Sequence, residues 1–369
     1  MRLIKLMLAA SVAVCALASC NKQETTPVNN RLKTVEISLE NIVMTKALAG
    51  DKINSGDAVV VNDIKLFLTD AAGNEYEAYD AAGTVKSQTY FTTIDDVNKA
   101  EFHYVDPNCS KVVAVANLGK DITFAEYKAG LADLLIADQQ EAKSLVLYDE
   151  AALVSTGEEH NDVNADGTTY LSPVYEAELT LTPRVSRFEV DGFSVKFSET
   201  PLFEEIKITQ LAFFNYYDKT TVVEGTEKDL TPSIDFLNQS EVYSWLDNGQ
   251  TAWYRDSFEV VITPEDNVKD TPEPLAYHMF SCAETPVMLI KLLADGQPAY
   301  LYTKGFFKQD GTEVTEFEEG KIYRMSAAGE ELGDGNIPFE DTDIDPMARC
   351  LDITVEVINW AVELVYPEF

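Results

Sequence analysis

The stretch LDITVEVINWAVELVYPEF, residues 351–369, alternates between apolar and polar side chains twice over. Leu351, Ile353, Val355 and Val357 share one face; the phase slips at Ile358–Asn359; Trp360, Val362, Leu364 and Tyr366 share the next. A period of two is the mark of a half-buried strand, so the stretch predicts two short strands in tandem. Terminal segments fray unless something holds them, so this one is expected to pair, either inside its own fold or with another chain.

A second stretch, KTVEISLENIVMTK at residues 33–46, has the same form. Val35, Ile37 and Leu39 lie on one face and Glu36, Ser38 and Glu40 on the other; the phase slips near Asn41 and continues with Ile42 and Met44. Between these two stretches the chain reads as many short strands separated by turns, for example KVVAVANLG, EEIKITQLAFF, PVMLIKLLAD and EGKIYRM. One helix is expected, over TFAEYKAGLADLL, where Phe124, Tyr127, Leu131 and Leu134 have helical spacing. The pattern predicts a mainly β protein of two tandem β-sandwich domains with few short helices. Pro183 is the expected hinge, dividing residues 47–182 from 183–369. The acidic, Gly- and Pro-bearing segment GEELGDGNIPFEDTDIDP precedes the last stretch, which therefore need not pack on its own domain.

At 369 residues the chain is long enough for more than one core. Its net charge of −35 argues against nucleic acid, whose phosphates it would repel, and against a basic membrane-binding patch. Residues 1–20, MRLIKLMLAASVAVCALASC, have a basic start, a short apolar run and small residues before Cys20. That is the form of a lipoprotein signal peptide, with Cys20 as the expected acylation site, by palmitate among others. Residues 21–30 form a polar tether. With Cys15 and Cys20 set aside, Cys109, Cys282 and Cys350 remain, an odd number that excludes a dense disulfide framework and leaves their pairing open.

Signatures of catalysis are missing. His103, His160 and His278 are scattered, and no H-E-x-x-H, G-x-S-x-G or P-loop occurs. The expectation is a protein that is not an enzyme and needs no cofactor. His278 and Cys282 lie four apart, but zinc needs more ligands than these. In DVNADG, Asp162, Asn164 and Asp166 match the first half of a calcium loop, yet Pro173 stands where the bidentate glutamate belongs; a polar connection is the plainer reading. Trp245 and Trp253 lie in a loop-rich stretch and could stack on sugar, although packing is the commoner use of such rings.

Taken in order, these pieces resemble the fimbrillins of Bacteroidetes, the type V pilins. The resemblance rests on Leu351–Phe369, on KVVAVANLG with Ala116–Asn117, on LTLTPRVSRFEV with Arg184, on VMLIKLLADGQPA and GKIYRMSAA, and on the two ends of the chain. It implies transthyretin-like sandwiches and an outer-membrane lipoprotein precursor that becomes a cell-surface fimbrium serving adhesion and biofilm formation. A trypsin-like surface protease would cut between Lys46 and Ala47, or alternatively between Arg31 and Leu32. The cut at Lys46 would let residues 21–46 depart as a propeptide, removing the strand of Val35, Ile37, Leu39 and Ile42, whereas a cut at Arg31 would leave that strand in place. The tail 351–369 of another copy, with Leu351, Ile353, Val355, Val357, Trp360, Val362, Leu364 and Tyr366, would enter the slot as donor strand. Burying eight such side chains from water would contribute on the order of 12–24 kcal/mol before ordering costs. The implied partners are further copies of the chain, accessory fimbrial subunits, the protease and a host or bacterial surface ligand. The alternative is a non-polymerising surface lipoprotein, such as a fimbrial anchor, a tip adhesin or a glycan-binding protein.

Overall fold

The computed structural model describes residues 31–39, 59–97, 100–130, 134–141, 144–163, 167–223, 228–231, 255–281, 285–308, 310–325, 331–333, 350–359 and 362–363. They form a mainly β protein. Two sheets are built before residue 184 and one large sheet after it.

In the first sheet, β1 (Lys33–Leu39) lies between two neighbours. Its companions are β2 (Ile64–Thr69) and β4 (Lys111–Ala116), which belong to the second sheet, and β3 (Glu101–Val105), which belongs to its own. Following β5 (Leu147–Ala152) come β6 (Val154–Val163) and β7 (Thr169–Leu179). The first sheet has the order β6-β7-β1-β3. The second runs from Thr182–Pro183 through β5, β4 and β2 to Glu75–Tyr76. β2 is buried along its whole length, and Val112 to Ala116 in β4 have no exposed surface, as strands covered on both faces must be.

The C-terminal sheet begins with β8 (Ser186–Lys196), β9 (Ile206–Phe214), β10 (Arg255–Ile262) and β11 (Val268–Met279). β12 (Val287–Ala294), β13 (Gln297–Lys308), β14 (Lys321–Met325) and β15 (Cys350–Asn359) complete its path. The order is β10-β9-β12-β13-β15-β14-β8-β11, with short strands added at β13 and β8. Its core is aromatic. Phe188 meets the ring of Phe213 at 5.3 Å and that of Phe306 at 5.4 Å, and Phe317 stacks on Tyr323 at 4.4 Å. Offset and edge-on ring contacts of this kind add to what burial alone contributes.

The expected helix over residues 124–134 is cut short. It spans Phe124–Lys128, starts with a capping box between Thr123 and Glu126, and ends where Gly130 takes φ +81°. Leu134–Leu135 is then a strand, paired with Thr220 and Lys219 from the C-terminal half. Beyond this contact, Arg184 spans the two halves. Its guanidinium lies over Tyr148, 5.5 Å from the ring centroid, and pairs with Glu319 at 2.5 Å. No helix among the described residues is long and apolar enough to cross a membrane.

Candidate functional site

β1 is held on both sides. It runs parallel to β7, with Thr34 opposite Val174 and Leu39 opposite Leu179, and antiparallel to β3, with Val35 opposite Phe102. Its alternation does what the sequence predicts: Val35 and Ile37 are 0% and 5% exposed, and Leu39 packs against the same core. A bulge between Lys33 and Val35 is matched by Tyr104 on β3, which adopts φ +56°. Lys33 is buried beside it. Its ammonium donates to the Cys109 carbonyl at 2.8 Å and sits 4.4 Å from the centroid of the Tyr175 ring. Burial pulls its pKa below the ordinary lysine value. Cys109 is a free, buried thiol whose pKa burial pushes up to about 11.

Arg31, at the alternative cleavage site, is half-buried and pairs with Glu159 at 2.8 Å, while Leu32 beside it is exposed. Cys20, Ile42, Lys46, Ala47, Asn164, Asp166, Trp245, Trp253 and Cys282 lie outside the described residues.

The other face of the same sheet carries a polar row that crosses all four strands. Thr34 of β1 and Ser172 of β7 touch through their hydroxyls at 2.6 Å. Being small, they leave room above them for longer side chains from the outer strands to meet. Asp162 of β6 takes a hydrogen bond from Ser172 on Oδ2 at 2.7 Å. Its Oδ1 lies 2.8 Å from Nδ1 of His103 in β3 and 2.9 Å from Nδ1 of His160 in β6. Nε2 of His103 faces Glu101 at 3.3 Å. Thr34, His103, Asp162 and Ser172 are all at most 2% exposed. Of the three candidate calcium residues only Asp162 is among the described residues. Pairing with Tyr170 places this residue in a strand, and both its oxygens are engaged by the row rather than turned to a loop. Sequence spacing passed over His103 and His160. The available signal was the pattern His160-x-Asp162 and Glu101-x-His103, two pairs at strand spacing.

The tail takes the first of the two pairings left open by its sequence, inside its own fold. Residues Cys350–Asn359 do not stand clear of their own domain but form β15, parallel to β13 and antiparallel to β14. Among the described residues this strand, with Leu351, Ile353, Val355 and Val357, links the group β10-β9-β12-β13 to the group β14-β8-β11 along the sheet path. Alternation shows that a strand has two unlike faces; it does not show which edges it will pair with. Val362–Glu363 then runs parallel to Val59–Val60. Trp360, Leu364 and Tyr366 lie outside the described residues.

No protein-family model matches the chain, and no curated protein matches it. Solved structures are similar in fold. A cell adhesion candidate from Parabacteroides distasonis superposes with a TM-score of 0.50 at 13% identity, covering 91% of this chain and 99% of its own. A fimbrilin from Porphyromonas gingivalis gives 0.49 at 12% identity, covering 91% and 99%. A cell adhesion candidate from Bacteroides eggerthii gives 0.48 at 16%, covering 91% and 98%. At these identities the likeness is one of fold alone.

Proposed function

We propose that this protein is a structural subunit of a surface fimbrium, exported as a lipoprotein on Cys20, clipped after Lys46, and joined to further copies by strand replacement. β1 leaves the first sheet, and residues 351–369 of another copy enter between β7 and β3. The outcome is a head-to-tail filament, since such a contact does not close on itself. Neighbours described as fimbrial and adhesion proteins accord with this role.

One observation carries the reading: β1 is an interior strand with both edges paired and its apolar face buried, yet the chain leads into it from a polar tether and out of it toward a basic residue. Its removal leaves the hairpin β6-β7 and the lone β3 with unpaired backbone groups on facing edges, a template for another strand. A second observation supports the choice of occupant. Thr34-Val35-Glu36-Ile37 in β1 is matched by Thr354-Val355-Glu356-Val357 in β15, with the flanks differing (Lys33 against Ile353, Leu39 against Asn359). In this register Val355 and Val357 take the places of Val35 and Ile37, and Thr354 brings a hydroxyl to the slot of Thr34.

Because β15 is already paired, the energy counted from water does not apply. The tail gives up β13 and β14 and gains β7 and β3, so exchange is strand for strand: it fills the slot that proteolysis empties and opens one between β13 and β14. Its test is N-terminal sequencing and electron microscopy of the clipped protein. Filaments whose subunits begin at Ala47 support the reading; filaments built from chains that retain β1 refute it.

The position of β15 favours a second reading. A tail that stays in its own sheet makes a non-polymerising surface protein, an anchor or tip subunit or a glycan binder. A clipped protein that remains monomeric would favour it.

A further inference from the structure

The geometry points to a binding site for a divalent transition metal, represented by Zn²⁺, at His103, His160 and Asp162. Three ligand atoms, one from each residue, lie within 4.8 Å of one another. Asp162 Oδ1 is 2.8 Å from one imidazole nitrogen and 2.9 Å from the other. Tetrahedral zinc with arms of about 2.0–2.2 Å sets its ligand atoms roughly 3.3 Å apart, so an outward shift of about half an ångström at each nitrogen admits the ion. Imidazole with carboxylate is a donor set suited to Zn²⁺, and copper or nickel would compete for it.

The surroundings match what such a site requires. Metal-binding histidines use the second ring nitrogen to donate to a carboxylate or carbonyl, which fixes the tautomer. His103 Nε2 faces Glu101 at 3.3 Å for that purpose. The non-ligating oxygen of Asp162 accepts from Ser172 at 2.7 Å, which orients the carboxylate. Hydrogen bonding alone gives a poorer account of His160. Its side chain is 38% exposed, yet its Nδ1 turns inward to an oxygen that His103 already shares. The same exposure provides the entry path and leaves a coordination position for water.

The ligands come from β3 and β6, the two outer strands of the sheet, and meet above Thr34 and Ser172. A bound ion would therefore clasp the sheet with β1 inside it. If β1 departs as the preceding reading holds, Zn²⁺ should slow that departure.

Calorimetric titration of the intact, unclipped protein with Zn²⁺ tests the site, and Co²⁺ absorption reports imidazole ligation. We expect one tight equivalent, weakened at least 100-fold in His160→Ala and in Asp162→Asn, and 10–100-fold in Glu101→Gln, which touches only the outer nitrogen. His160→Ala removes a half-exposed side chain, and circular dichroism checks that the fold is kept. Weak binding by many sites that these substitutions leave unchanged would be the behaviour of a strongly acidic surface, and would overturn the proposal, as would no binding. Titration does not depend on filament formation. Tight Zn²⁺ binding by a protein that never polymerises would retain this site and remove the filament reading.

Discussion

β1 and β15 carry the same four-residue pattern and occupy unlike places. β1 lies inside a four-stranded sheet, its apolar side chains sealed and its Thr34 tied into a polar row. β15 joins two groups of four and three strands, each of which remains a sheet without it. Taking β1 away breaks a sheet; taking β15 away separates two. A strand whose loss leaves two intact sheets is suited to being lent, and a slot left by an interior strand is suited to receive it. The two ends of the chain thus differ in cost of removal rather than in pattern.

The largest effect expected follows directly. Deleting residues 31–46 from the precursor should abolish soluble, folded protein, whereas deleting 351–369 should leave a folded, exported monomer that forms no filaments. Gel filtration, circular dichroism and electron microscopy read both outcomes, and equal damage from the two deletions would erase the distinction drawn here. A milder version uses single side chains. Ile37→Ala should cost the precursor about 2–5 kcal/mol in denaturant unfolding, as truncations of buried residues do. Val357→Ala should shorten the lifetime of filaments.

Acid probes a third region that spares both strands. His278 in β11 lies between Arg187, 3.0 Å from its Nε2, and the Gln139 carbonyl, to which Nδ1 donates at 2.6 Å. Burial, reinforced by the Arg187 charge, holds this imidazole neutral, with its pKa pushed down to about 3 from 6.5. The unfolded chain takes up that proton near 6.5 and the folded chain only near 3. Stability from this group is therefore complete above pH 6.5 and is lost as pH falls, by roughly 3 kcal/mol at pH 4. Urea titrations between pH 7 and 4 should show the loss, and His278→Gln should flatten it. The smallest expected effect is at the matched threonines. Thr34→Val should lower precursor stability by about 1 kcal/mol, the usual net value of a hydrogen bond. Thr354→Val should weaken the filament.

Much of this architecture is written in local pattern. The alternation of Val35, Ile37 and Leu39 marks β1, and that of Leu351 to Val357 marks β15, because a half-buried strand leaves a period of two. What pattern cannot carry is partnership. Nothing in LDITVEV tells that β13 and β14 will flank it, since any two open edges would accept the same backbone. Gly130 cut the predicted helix because its φ of +81° ended a turn that Leu131 and Leu134 would otherwise have prolonged. The polar row was hidden for a related reason. His103 and Asp162 are 59 residues apart and meet only because two small side chains lie between their strands. The TVE match, by contrast, was open to inspection in the sequence, and only the register of β1 shows why it matters.

The exchange itself is tested most directly by a pair of cysteines. In the precursor the Thr34 hydroxyl lies 2.6 Å from that of Ser172, whereas Thr354 is paired with Phe307 of its own sheet. A protein carrying Thr354→Cys and Ser172→Cys should, after clipping and mild oxidation, give a ladder of covalent multimers on non-reducing gels, with neither single substitution doing so. Filaments that form normally but yield no such ladder would show that the tail does not take the place of β1 in this register, and would contradict the account.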